Sequence, residues 1–205
     1  MIRKAHNRDK KQASELYYIS GPNICNYCFA SDEKTTLKLI EMLFQKPANS
    51  FSHECYWLYE EDERIKGAAV VFPGKDEALL ENNIGRYSKE MLKIAGYKRC
   101  ISMMLRSRTF HKFAPCAEAD EFYIQSLAVF PEFRGQGIGS ALLNHIIAHA
   151  KDNSYKKVSL IAESDNEHAI MIYKKLGFVI TEEVTLPGKF QKFYLAGFKK
   201  MVLNL

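Results

Sequence analysis

The stretch that most constrains the fold of this chain runs from Phe122 to Ala150. It opens on the apolar run Phe122-Tyr123-Ile124-Gln125-Ser126-Leu127-Ala128-Val129-Phe130, rich in the aromatic and β-branched residues that suit a buried strand. Pro131 closes it, because proline cannot donate to a sheet ladder. Arg134-Gly135-Gln136-Gly137-Ile138-Gly139-Ser140 comes next, and its three alternating glycines let main-chain N–H groups approach a ligand closely. Ile138, Leu142, Ile146 and Ala150 then recur every four residues, which predicts a helix opening directly out of that turn.

A glycine-rich turn at a helix N-terminus offers unpaired N–H donors and the positive end of the helix dipole, a combination suited to phosphate. A nucleotide P-loop would need Gly-Lys-Ser/Thr, but Gly139 precedes Ser140. A dinucleotide fingerprint would need glycine where Ser140 stands, and would normally lie in the first βαβ unit rather than mid-chain. On the turn alone, a tight strand-to-helix connection with no ligand is the alternative.

Downstream, Lys157 to Ala162 reads as a second apolar strand, so strand, helix and strand imply a right-handed crossover and a parallel pair. Glu163-Ser164-Asp165-Asn166 is a polar break with N-cap character, followed by a helix from about Glu167 to Leu176 that Gly177 ends. Asn166 and Tyr173 lie seven residues apart, about two helical turns, and so project the same way.

Arg134, Gly137 and Gly139 fit the pattern Arg/Gln-x-x-Gly-x-Gly/Ala, and the segment resembles the acetyl-CoA-binding motif of the GNAT superfamily of N-acetyltransferases. Asn166, Tyr173 and Leu176-Gly177-Phe178 resemble the last helix of the same family. The clear resemblance covers about Phe122 to Phe178; the N-terminal half matches in element order. It implies an α+β (α/β/α) acyl-CoA N-acyltransferase fold. That fold has a mixed, mostly antiparallel sheet, a parallel central strand pair and a helical insertion between the third and fourth strands. It also implies acetyl-CoA as co-substrate, with no metal.

By that resemblance the amides of Leu127, Ala128 and Val129 would bind pantetheine, with the Leu127 N–H donating to the thioester oxygen. The turn from Arg134 through Gly135, Gln136, Gly137, Ile138, Gly139 and Ser140 would cradle the pyrophosphate. Asn166 and Tyr173 would face CoA, and Tyr173 would protonate the departing thiolate. The resemblance names no general base here: the fourth strand offers only Gln125 and Ser126. Glu118, Asp120, Glu121, Glu163 and His111 are all candidates, and a neutral amine could dispense with them.

The implied function is acetyl transfer to a primary amine, with a small molecule favoured over a protein because the inserted helices would enclose the acceptor side. The alternatives are a lysine or N-terminal protein acetyltransferase, and a non-catalytic acyl-CoA-binding regulatory module. Nucleic acid is not an expected partner: Lys89, Lys93, Lys98, Arg99, Arg106, Arg108 and Lys112 form a basic stretch, but no recognised binding motif accompanies it. The oligomeric state is open, a homodimer among the permitted arrangements.

At 205 residues the chain suits one domain over 1–205 with an insertion at about 75–118, and should bury roughly 70% of its unfolded surface. Hydrophobic residues at 47% and charged residues at 26% exclude a disordered chain. The net charge of +5 suits an anionic ligand without arguing for nucleic acid. The charged N-terminus has no signal-peptide core and no run reaches ~18 apolar residues, which predicts no membrane partner and a cytoplasmic location. Five scattered cysteines predict reduced thiols rather than a disulfide framework. Cys25 and Cys28 have ligand-like spacing, but His53 and Cys55 make an unusual second half, so buried thiols are preferred to zinc.

Toward the N-terminus the patterning predicts a short strand in the first five residues and a helix over 8–19 broken by Gly21-Pro22. Asp32 would cap a second helix running to about Gln45. Cys55 to Tyr59 and Ile65 to Phe72 read as a hairpin. Two helices are expected in the insertion, one carrying Leu80, Ile84, Tyr87 and Met91, the other Ile101, Met104 and Leu105. The last two strands are placed at Phe178 to Val184 and Lys189 to Ala196, followed by a basic and apolar tail.

Overall fold

The computed structural model describes residues 1–205. Its N-terminal half holds β1 (Ile2–Lys4), α1 (Lys10–Ser20), α2 (Pro22–Cys28), α3 (Glu33–Phe44), β2 (Tyr56–Glu61) and β3 (Arg64–Pro73). An insertion of α4 (Glu77–Asn83), α5 (Ser88–Ala95) and α6 (Tyr97–Phe110) leads to β4 (Glu121–Val129). The chain ends with α7 (Ile138–Asp152), β5 (Lys157–Glu163), α8 (Glu167–Lys175), β6 (Val179–Thr185) and β7 (Gly197–Asn204). One seven-stranded sheet results, in the order β1-β2-β3-β4-β5-β7-β6. Neighbours are antiparallel except β4 and β5, which run parallel as the crossover through α7 requires.

Strand β3 is buried from Ile65 to Phe72, so both of its faces carry apolar side chains. Asp62 and Glu63, both at positive φ, make the two-residue turn that joins it to β2. Ala68, Val70, Phe72 and Tyr123 pack under α1 on one face with Leu16 and Phe44. Ala69, Val71, Phe122 and Ile124 pack on the other face with Leu143, Ile146 and Ala150 of α7. A third cluster, built on Leu39, Ile40, Leu43 and Met103, joins α3 to the inserted helices.

Asp32 caps α3 as expected, its carboxylate accepting the Thr35 N–H at 2.9 Å. Four expectations need correction. Gly21-Pro22 ends α1 but also begins α2, because proline is well placed in the first turn of a helix. The insertion holds three helices rather than two: a tighter 3₁₀ turn at Ile84–Tyr87 separates α4 from α5, and apolar positions run straight through it. Residues 188–193 form a 3₁₀ segment rather than a strand. The supposed tail is β7, which lies inside the sheet between β5 and β6.

Candidate active site

The parallel pair is hydrogen-bonded only from Glu121↔Lys157 to Ile124↔Leu160, although both strands continue, to Val129 and Glu163. The separation begins at a β-bulge: Val71 pairs with Ile124 and Val70 with Ser126, so Gln125 is an extra residue. The bulge turns two successive side chains to the α1 face. Ser126 Oγ donates to Ser20 Oγ at 2.8 Å, and Gln125 lines a cavity there with its Oε1 buried and unpaired.

Beyond the bulge, Phe130 N–H donates to Lys66 O at 3.0 Å. Alternation along an antiparallel ladder then turns the amides of Ser126 and Ala128 toward β3, and those of Leu127 and Val129 toward the gap. Of the three strand residues expected to bind pantetheine, Leu127 and Val129 thus present main-chain groups to the opening, while the Ala128 amide faces its β3 partner. The Leu127 side chain packs on the α7 face of the sheet.

The turn beyond β4 is shaped by backbone conformation. Gly135 and Gly137 both sit at φ +78°, where other residues are strained, and a Cβ at either would meet nothing within 4 Å. These glycines therefore allow the turn and leave the space above it clear. None of the N–H groups from Gly135 to Ser140 donates to a main-chain acceptor outside α7. That run of free donors at a fifteen-residue helix suits a diphosphate. Ile138 is buried, so only its backbone serves the turn, and Gly139 packs against Leu127 and Val129. Gln136 and Ser140 are exposed beside the turn. Arg134 Nε donates to Val129 O at 3.2 Å and ties the turn to the strand.

Tyr173 packs on the same face of the sheet as Leu127, its ring 6.0 Å from that of Phe178. Burial pushes its phenol up to about 12, so the group keeps its proton at neutral pH. Asn166, expected to face CoA, uses its side-chain oxygen to accept the Ala169 N–H at 3.2 Å and cap α8.

The base candidates separate by position. Glu118 and Asp120 pair with Lys157 at 2.9 and 3.3 Å, and buried Glu121 pairs with Lys200 at 3.1 Å. All three lie at the paired end of β4, away from the opening. Glu163 ends β5 at the open side, where burial, with some help from Asp165, pushes its carboxyl up to about 7. His111 Nε2 stands 3.1 Å from Glu81 Oε2 on the cavity wall. Glu81 carried no signal in the sequence, because only the folding of the insertion brings α4 to the end of α6.

Residues 25–178 match the Acetyltransferase (GNAT) family. The chain belongs to the GNAT family of N-acetyltransferases. A relative from Methanocaldococcus jannaschii, an uncharacterised N-acetyltransferase, is 44% identical over 61 residues, 30% of this chain. The mycothiol acetyltransferase of Corynebacterium efficiens is 35% identical over 65 residues, 32% of this chain. The matched parts span only 27% and 21% of the length of these curated relatives. Among solved structures, an N-acetyltransferase from Staphylococcus aureus Mu50 is 21% identical with a TM-score of 0.72, covering 99% of this chain and 100% of its own. An agmatine N-acetyltransferase is 16% identical with a TM-score of 0.60, over 100% of this chain and 99% of its own. Both share the GNAT fold.

Two features of this GNAT chain have local structural uses. Arg99 bonds Asp32 and Thr35, and Arg106 donates to Tyr27 O at 3.2 Å while lying over the Tyr27 and Phe193 rings, so part of the basic stretch ties α6 to α2 and α3. Cys25 and Cys55 fall in different core clusters, and burial pushes both thiols up. No helix is long and apolar enough to cross a membrane.

Proposed function

We propose that this GNAT chain moves the acetyl group of acetyl-CoA directly to a primary amine of a small molecule, both substrates being bound together. One observation carries this reading: from the bulge at Gln125 onward β4 parts from β5, exposing main-chain groups between the glycine turn on one face and a cavity on the other. A thioester arm lying in the gap would meet the Leu127 N–H, which stabilises the developing oxyanion. The neutral amine nitrogen bonds to the acetyl carbon and the C–S bond breaks. Tyr173 protonates the thiolate and recovers a proton from the nitrogen through water. Helices α4 to α6 cover the acceptor side, which favours a small molecule over a protein segment.

The test combines calorimetry with a thiol-release assay. Folded protein is expected to bind acetyl-CoA and CoA, and to release thiol only when a suitable small amine is supplied. Absence of CoA binding would remove the assignment of the turn. Binding without turnover on any small amine would remove the small-molecule reading.

A further inference from the structure

A cavity of about 540 Å³ lies between α1–α3 and the inserted helices, and 16 of its 24 lining residues are hydrophobic. That volume is typical of sites for drug-sized ligands and far exceeds what a two-carbon amine needs. Its mouth lies where α5 turns into α6: Leu92, Tyr97, Ile101 and Met104 line it, and all four are exposed at 37% or more. Gln125 of β4, Glu81 of α4 and His111 just beyond α6 bring polar groups to its wall. Gln125 Oε1 enters from the bulge, buried and with no partner. Glu81 lines the same cavity as Gln125 and as Cys28 of α2. His111 backs the Glu81 carboxyl at 3.1 Å. Arg108, the other charged residue of the lining, is exposed in solvent.

Resting on the transferase reading above, we propose that the cavity takes a primary amine carried on an extended apolar body, its ammonium end held between Glu81 and Gln125. Charge and shape argue the same way. Burial, with a smaller push from Glu77, raises the Glu81 carboxyl to about 7, and an arriving cation would favour its ionised form. Gln125 Oε1 accepts an N–H from the same nitrogen, which satisfies a buried acceptor beside the opened strand. The ammonium gives one proton to Glu81, backed by His111, and the pair releases it to water. The nitrogen, now neutral, faces the gap where the acetyl carbon would lie. The rest of the substrate runs along Met91, Ile84 and Met104 toward the mouth.

Initial-rate kinetics at saturating acetyl-CoA, on the n-alkylamines from ethyl to octyl with phenethylamine, putrescine and agmatine as comparisons, test this. The expected result is a rise in kcat/KM of about fourfold per added methylene until the chain reaches the mouth. Glu81→Gln should lower kcat/KM on every amine by roughly 10²-fold or more, while the calorimetric Kd for acetyl-CoA stays unchanged. Met104→Gln, at an exposed position, should flatten the series, lowering kcat/KM for the longest amines more than for ethylamine. A flat or falling series, a preference for putrescine or agmatine, or a Glu81→Gln enzyme with unaltered kcat/KM would overturn the proposal and leave the transferase reading standing. Acetyl-CoA binding with no amine acetylated would overturn both.

Discussion

Tyr173 is the residue on which the proposed chemistry is most exposed to test. Removing its hydroxyl while keeping the ring preserves the packing on Phe178 and deletes the proton donor. Tyr173→Phe should therefore lower kcat by about 10²- to 10⁴-fold with little change in acetyl-CoA affinity, read by steady-state kinetics and calorimetry. Unchanged turnover would take Tyr173 out of the role. Glu163 makes a separate prediction through protons. Its carboxyl is raised in the folded chain from 4.5 to about 7, chiefly by burial. Between those values the folded state holds a proton that the unfolded state has already lost, so this group's contribution to stability falls as pH rises toward 7 and is flat beyond. Glu163→Gln should gain on the parent chain from pH 5 to pH 7 in urea-unfolding midpoints. An equal offset at every pH would show that the carboxyl does not titrate in this way.

At the scale of elements, β7 shows what pattern reading misses. Its Lys199 and Lys200 look like a solvated tail, yet Lys200 is 7% exposed, donates to Cys116 O at 2.8 Å and pairs with Glu121, itself 1% exposed. Lys200→Met would leave Glu121 buried without its partner and should cost about 3–5 kcal/mol in urea unfolding. Changing Glu121→Gln in the same chain should recover much of that loss; additive losses would argue against the pairing. The β4, α7, β5 and α8 elements were legible because their signals are local: a proline stop, a glycine turn, four-residue periodicity and an asparagine cap. Strand β7 was not, since Cys116 and Glu121, which hold the buried Lys200, lie some eighty residues earlier in the chain. Helix α2 hid behind a Gly-Pro pair that marks a helix start as readily as a loop. Much the same holds for the site. Its glycine turn was readable from spacing and Tyr173 was proposed from the family resemblance, whereas Glu81 and the bulge at Gln125 depend on how distant elements meet, and no periodicity encodes that.

At the scale of the whole molecule, the sheet is closed at one end of the β4–β5 pair by hydrogen bonds and open at the other. The donors proposed for acetyl-CoA come from β4, the glycine turn and α8, which the sheet and its helices bring together. The unfolded chain has no such arrangement, so acetyl-CoA should bind the folded state alone and stabilise it by mass action, by about 2.7 kcal/mol at a hundred times its Kd. For a chain of this length each kcal/mol raises Tm by roughly 2–4 °C, so a scanning experiment should show a rise of about 5–11 °C. Free CoA at equal saturation should give the same rise, because the proposed grip is on the diphosphate and the pantetheine arm rather than on the acetyl group. A basic surface patch acting as a general polyanion site would instead respond to heparin as strongly as to CoA, and its effect would fall steeply with added salt. A heparin shift matching the CoA shift would therefore move the anion site away from the glycine turn and onto the inserted helices.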